Sequence, residues 1–182
     1  PDEAVTSYGR ALTIKPDYVE ALNNLGNALK EMGMLEKAVD NFNKVLTIKP
    51  DFAEAHFNLG RVLQEQGEQD EAITSYHKAL AIKPDYTDAH FNLGVALMEG
   101  DMLDEAVESF HKALAIKPEY VETHNNLGNA LTKLERWAEA MESYQKALTI
   151  KPEFAEAHFN LGNVLMETGK LDDAVDSYQK AL

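Results

Sequence analysis

Histidine is the side chain here best suited to chemistry near neutral pH, and it recurs with regularity. His56, His90, His124 and His158 stand 34 residues apart. Such a ladder of imidazoles suggests metal ligation, but a metal site needs several ligands converging, as in HExxH or a short His/carboxylate cluster. None accompanies these four. If successive helices pack side by side, neighbouring imidazoles lie roughly 8–10 Å apart. They are therefore expected to be partly buried aromatic residues, with no metal and no cofactor. Ser7, Ser75, Ser109, Ser143 and Ser177 share one position of the same interval without a His–carboxylate pair to activate them. His77 and His111 fall among polar residues and are expected to be solvated. With no cysteine, thiolate catalysis, disulfides and cysteine-ligated zinc are excluded. No phosphate loop or dinucleotide fingerprint occurs, and catalysis is not predicted for this chain.

The interval belongs to the whole sequence. Pro16, Pro50, Pro84, Pro118 and Pro152 are also 34 apart. Placing them at position 32 of a repeat gives complete repeats at 19–52, 53–86, 87–120 and 121–154. An incomplete fifth covers 155–182, and residues 1–18 form the second half of an upstream repeat, so the chain reads as a fragment of a longer array. Each repeat predicts two helices. Ala55, Leu59, Val62 and Leu63 lie on one face of the first, and Ala72, Ile73, Tyr76, Ala79 and Leu80 on one face of the second. Gly33, Gly67 and Gly169 suit the left-handed residue that ends the first helix. Asp101 and Glu135 replace that glycine in two repeats, and Gly100 offers to shift the third repeat's turn by one residue. Asp70, Asp104 and Asp172 are expected N-caps of second helices, and Asp17, Asp51 and Asp85 of the following first helices. Glycine inside the first helix (Gly60 and its equivalents) costs about 1 kcal/mol, which implies a close helix–helix contact.

His56-x-x-Leu59-Gly60-x-x-Leu63, Ala72-x-x-x-Tyr76 and Pro84 resemble the tetratricopeptide-repeat signature, with Leu22 and the four histidines standing where that family usually has tryptophan. The match recurs throughout the 182 residues. The resemblance implies an all-α fold: a right-handed α-α superhelix, one solenoid over 1–182, of stacked 34-residue helix-turn-helix repeats. First helices would line a concave groove, second helices would form the back, and each repeat would touch only its neighbours. The phrase Ala-His-Phe-Asn-Leu-Gly at 55–60, 89–94 and 157–162 is similar to repeats of O-linked N-acetylglucosamine transferases and of bacterial multi-repeat proteins. The former place an asparagine ladder along the groove and carry a separate catalytic domain.

In such a groove the polar columns acquire meaning. Position 6 is Asn24, Asn58, Asn92, Asn126 and Asn160. Asparagine is a poor helix former, so something compensates for it at every repeat. Two readings stand: hydrogen bonds between neighbouring first helices, or amides that meet the backbone of a bound chain. Position 9 varies as Asn27, Arg61, Val95, Asn129 and Asn163, and its polar members join the candidate peptide-binding set. Phe57, Phe91 and Phe159 at position 5 are either exposed anchors or lean on the adjacent first helix. The other aromatics are expected core, at position 24 inside each helix pair and position 34 between repeats. Trp137 is expected to pack as well.

Charge favours the same class of function. The formal net charge of −14 argues against nucleic acid, which demands a basic footprint, and suits neutral or basic partners. Eleven of the 17 basic residues fall at positions 26 and 31, late in the second helix, where its dipole favours them. The groove side carries Glu20, Glu54, Asp88, Glu122 and Glu156 at position 2, and Glu31, Glu65, Glu99 and Glu167 at position 13. The basic residues that carboxylate-clamp members of the family need at positions 2, 5 and 6 are missing. No apolar run reaches the ~18–20 residues of a membrane span and no signal peptide is present, so a cytoplasmic location is expected. The sequence reading is a scaffold that binds extended peptides in an asparagine-lined, acidic groove, with end-to-end self-association of the open ends. Alternatives are an assembly module acting through the convex face or the helical ends, and a recognition arm of a glycosyltransferase.

Overall fold

The computed structural model describes residues 2–182 and contains, among them, eleven helices and no strand: α1 (Asp2–Ile14), α2 (Val19–Glu31), α3 (Leu35–Ile48), α4 (Ala53–Gln66), α5 (Gln69–Ile82), α6 (Thr87–Glu99), α7 (Leu103–Ile116), α8 (Val121–Lys133), α9 (Trp137–Ile150), α10 (Ala155–Glu167) and α11 (Leu171–Ala181). Even-numbered helices are the first helices of the repeats. None is long and apolar enough to cross a membrane.

Local rules account for the boundaries. Position 15 is left-handed in every repeat, at Gly33, Gly67, Asp101, Glu135 and Gly169. The residue that follows folds back onto the preceding helix. Glu68 N–H donates to the Leu63 carbonyl at 2.9 Å, and Met34, Met102, Arg136 and Lys170 make the same bond to Leu29, Leu97, Leu131 and Leu165. This satisfies carbonyls that a helix C-terminus otherwise leaves open. Gly100 does not shift the turn, because Asp101 itself takes the positive φ of 60°. Each complete second helix stops at a lysine before proline, Lys49 for example at φ −135° and ψ 86°, since proline disfavours helical geometry in the residue before it.

The capping expectations are corrected. Second helices start after Met34, Glu68, Met102, Arg136 and Lys170, none with a side-chain cap bond. Asp70, Asp104 and Asp172 lie inside the first turn instead, where they act on the helix dipole. Tyr18, Phe52, Tyr120 and Phe154 hold the N-cap positions of first helices. An aromatic ring is needed there for packing, so the aspartates stand one residue too early.

Contacts divide the chain into two compact units, one ending at Ala89 and one running from His90 to Leu182. In the first, α1, α2, α3, α4 and α5 pack each on the next, and α2 also touches α4. Its core holds Phe42, Val45, Ala55, Val62 and Tyr76, all fully buried. In the second, α7 through α11 repeat the pattern, α8 touches α10, and Phe110, Tyr144, Ala157 and Val164 lie in the core. Each such large side chain contributes about 1.5–3 kcal/mol by leaving water.

Candidate functional site

First helices are set close to their second helices by glycine. A Cβ at Gly60 would come within 2.7 Å of the Tyr76 ring, and one at Gly94 within 2.6 Å of Phe110. Those distances are below carbon–carbon contact, so only glycine lets the position-24 aromatic lie flat against the first helix. Ser75 and Ser143 hydroxyls bond back to the carbonyls of Glu71 and Glu139 at 2.8 and 2.9 Å. His77 and His111 are exposed.

The histidines are structural. Nε2 of His56, His124 and His158 lies 2.9, 2.8 and 2.8 Å from the carbonyl oxygens of Pro50, Pro118 and Pro152. A neutral imidazole donating N–H to that oxygen ties each first helix to the loop that enters it. Burial lowers the pKa of His56 and His124; the proline bond opposes this, and Lys78 and Lys146 respectively lower it further. The Nδ1 atoms of His56 and His124 are buried without a partner, so protonation there would strand a charge. No group of three potential metal ligands occurs among the described residues.

The asparagines make a ladder across first helices. In the first unit Asn58 Nδ2 donates to Asn23 Oδ1 at 3.3 Å, and Lys30 Nζ pairs with Glu65 at 2.8 Å across the same two helices. Asn58 is buried, Asn27 half-buried and Asn24 exposed. In the second unit Asn160 Nδ2 donates to Asn125 Oδ1 at 3.2 Å and to Asn129 Oδ1 at 3.0 Å. Asn125 donates to Glu156 at 2.9 Å, and Asn129 donates to Asn126 Oδ1 at 3.4 Å. The Tyr144 hydroxyl donates to Asn129 at 2.8 Å and that of Tyr178 to Asn163 at 2.8 Å. Asn92 is half-buried and already engaged. An amide has two N–H donors and two acceptor lone pairs, so one bond to a neighbouring helix leaves capacity for another partner.

Two positions of the ladder escape a reading of the sequence alone. Asn23 and Asn125 at position 5 accept from the next repeat's position-6 asparagine. The available signal is the alternation of Asn and Phe at position 5. Over two of the phenylalanines a tyrosine closes: Phe57 lies 4.8 Å from Tyr86 and Phe91 5.1 Å from Tyr120, centroid to centroid. Phe57 is thereby buried at 7% exposure, with the Arg61 guanidinium 5.7 Å above it. It is not an exposed anchor, which corrects that alternative for Phe57. Phe91 is half-buried. Phe159 is 54% exposed, touching Tyr178 at 5.8 Å.

Around the ladder the field is negative. The position-2 carboxylates Glu20, Glu54, Asp88, Glu122 and Glu156 are all exposed. Burial, reinforced by Glu54 and Asp88 and opposed by Arg61, pushes the Tyr86 phenol up to about 12. Burial does the same to Tyr144, also to about 12, with the Thr132 hydrogen bond opposing it and Glu156 adding to it.

The sequence model of the family described as TPR repeat matches residues 2–33, 26–67, 60–101, 96–135 and 128–169. That described as tetratricopeptide repeat matches 157–182. No curated protein matches the sequence. Among solved structures the chain is similar to MamA, with 27% identity and a TM-score of 0.83 over 86% of this chain and 92% of that one. It is also similar to YrrB, described as a TPR protein with an unusual peptide-binding site, at 21% identity and a TM-score of 0.82 over 96% and 90%. A third is the pilF protein of Pseudomonas aeruginosa, at 25% identity and a TM-score of 0.79 over 99% and 76%.

Proposed function

The chain belongs to the tetratricopeptide-repeat family, whose fold serves as a protein-interaction scaffold, and we propose that this member binds extended, neutral-to-basic peptide segments along its first helices. The observation that carries the reading is the pairing of partly satisfied amides with exposed carboxylates. Asn24 is exposed, Asn126 and Asn129 are half-buried, and Glu20, Glu54, Glu122 and Glu156 stand in the open beside them. An extended chain offers an N–H and a C=O from each residue, and an amide takes both without regard to sequence. An acidic rim adds preference for Lys or Arg in the ligand and speeds encounter at low salt. The peptide-binding site described for YrrB supports the same class of ligand. Phe91 and Phe159 supply apolar contacts, and Arg61 a local positive charge on the rim.

Arrays of 12–15-residue peptides, with a Lys/Arg-bearing set and an acidic set, test the proposal by titration calorimetry. Basic peptides are expected to bind, and more weakly as salt rises. Asn24→Ala with Asn126→Ala should weaken binding by about 0.5–1.5 kcal/mol per site. Retention of acidic and basic peptides alike, or an undiminished affinity in the double variant, would overturn it.

A further inference from the structure

Position 9 has a structural task where it is Asn129 or Asn163. Each accepts the tyrosine hydroxyl of its own helix pair, from Tyr144 and Tyr178 at 2.8 Å. In the repeat that holds Arg61 the corresponding hydroxyl, that of Tyr76, donates instead to Gln64 at 2.9 Å. Gln64 stands one turn further along α4, so the packing is completed without position 9. Arg61 is free of that duty.

Its surroundings also leave its charge unpaired. Glu65, four residues on and spaced for a helical ion pair, is taken by Lys30 of α2 at 2.8 Å. Arg61 turns the other way, onto Phe57 four residues back, with the guanidinium 5.7 Å from the ring centroid. Phe57 is buried and packed on Tyr86 at 4.8 Å, so the guanidinium rests on a rigid floor. It is exposed, and among the described residues it makes no hydrogen bond and no ion pair. The Tyr86 hydroxyl is a second donor without an acceptor. Beyond its burial, that phenol feels Glu54 and Asp88 and, with the opposite sign, Arg61. Both signs of charge are thus gathered around one spot in the first unit.

We infer that Arg61 sets the specificity of the groove in this unit by receiving one Asp or Glu side chain of the bound segment, whose other charged residues are basic and answer to Glu54 and Asp88. This rests on the peptide-binding reading above and names the one acidic position within it. The demand arises on binding. A chain laid over Asn58 also covers Arg61, one turn away on the same face of α4, and strips its water. A covered cation without an acceptor is costly. A carboxylate meets the planar guanidinium with two parallel hydrogen bonds, and the Tyr86 hydroxyl can donate a third. The carboxylates of Glu54 and Asp88 nearby disfavour a doubly charged phosphate, so the acceptor is a singly charged carboxylate. Position 9 carries no other cation, and the acidic residue therefore occurs once in the ligand.

Synthetic 12–15-residue peptides of random sequence test this, with amidated C-termini so that side chains are their only carboxylates. They are selected on the full chain and on its Arg61→Gln and Arg61→Glu variants, and read by mass spectrometry. Peptides retained by the parent are expected to carry Asp or Glu at one position, a fixed distance from Lys or Arg. Arg61→Gln should keep the basic preference and lose the acidic one, and Arg61→Glu should turn that position basic. For one retained peptide, replacing its acidic residue by the amide should weaken binding to the parent about tenfold, the loss of a charge-assisted bidentate contact. The same replacement should change nothing for Arg61→Gln. Arg61→Lys, which keeps the charge without the planar fork, should hold the acidic preference in weaker form, and so separates charge from folding. Retained peptides with basic residues and no acidic position would leave the groove reading standing and overturn this inference. So would an acidic preference that survives Arg61→Gln. If no peptide is retained, both readings fall.

Discussion

Gly60→Ala opposes helix propensity to packing, and the structure decides which wins. Alanine in a helix interior is favoured over glycine by about 1 kcal/mol. The added Cβ, however, would lie 2.7 and 2.8 Å from two carbons of the Tyr76 ring, where about 3.5–4.0 Å is comfortable. The ring must retreat on the order of 1 Å. Tyr76 is fully buried, Phe57 packs 6.0 Å away, and its hydroxyl is held 2.9 Å from Gln64. Overpacking of this kind costs about 1–3 kcal/mol, and a strained hydroxyl bond adds about 1 kcal/mol. The expected net effect is destabilisation by about 1–3 kcal/mol. Gly9→Ala is the control, because nothing lies within 4 Å of its Cβ; it should stabilise by up to about 1 kcal/mol. Repeat arrays unfold locally, so amide exchange within α4 and α5 should accompany denaturant melts of both variants. In a Tyr76→Leu background the alanine should become neutral or favourable. If Gly60→Ala matches or exceeds its parent in stability, or still destabilises beside leucine, the close contact is not why glycine stands there.

Other outcomes follow from the same geometry. His56 and His124 titrate below the ordinary value, so the native state binds fewer protons than the unfolded one, and their stabilisation is complete above pH ~6.5 and lost as pH falls below it. His56→Leu with His124→Leu, the residue native at Leu22 in the same column, should cost about 1 kcal/mol per lost bond at neutral pH and flatten the fall in Tm from about pH 7.5 to 5.5; parallel falls would refute this. Asp101→Gly and Glu135→Gly relieve φ of 60° and 58° and should each raise stability by about 1 kcal/mol, read as slower amide exchange at the turn. In the ladder, Asn160→Ala removes two interhelical bonds and should destabilise by about 1–2 kcal/mol, while Asn24→Ala should leave Tm unchanged or slightly raised. Equal melting temperatures for the two would deny the ladder a structural role.

The helices are legible in the sequence because each of their causes is local. Proline at position 32, the residue at 15 and the 3–4 spacing of apolar side chains act within one repeat, and a 34-residue period states them five times over. The caps are not, because two demands fall on one stretch: the residue before each first helix must also reach the neighbouring repeat. Packing of an aromatic there outweighs a cap bond worth about 1 kcal/mol, and only the fold shows that competition. Position 24 carries a subtler signal. Where it is tyrosine, at Tyr76, Tyr144 and Tyr178, the hydroxyl has an acceptor in Gln64, Asn129 and Asn163 respectively, as a buried phenol demands.

The asparagines stand between two roles in the sequence because it names an amide without saying how many of its bonds are taken. The structure counts them. Asn58 and Asn160 each spend N–H groups on the preceding first helix, which explains why a poor helix former persists in the middle of these helices. Asn24 is exposed without a side-chain partner among the described residues. One column thus contains both conditions. Under the proposed function, stapling and ligand contact would be successive uses of the same group: the first bond orients the amide and leaves it further donor and acceptor capacity. An amide fixed by one bond loses less rotamer freedom on making the next. A ladder that holds repeats together is for that reason better suited to grip a backbone than a row of free side chains would be.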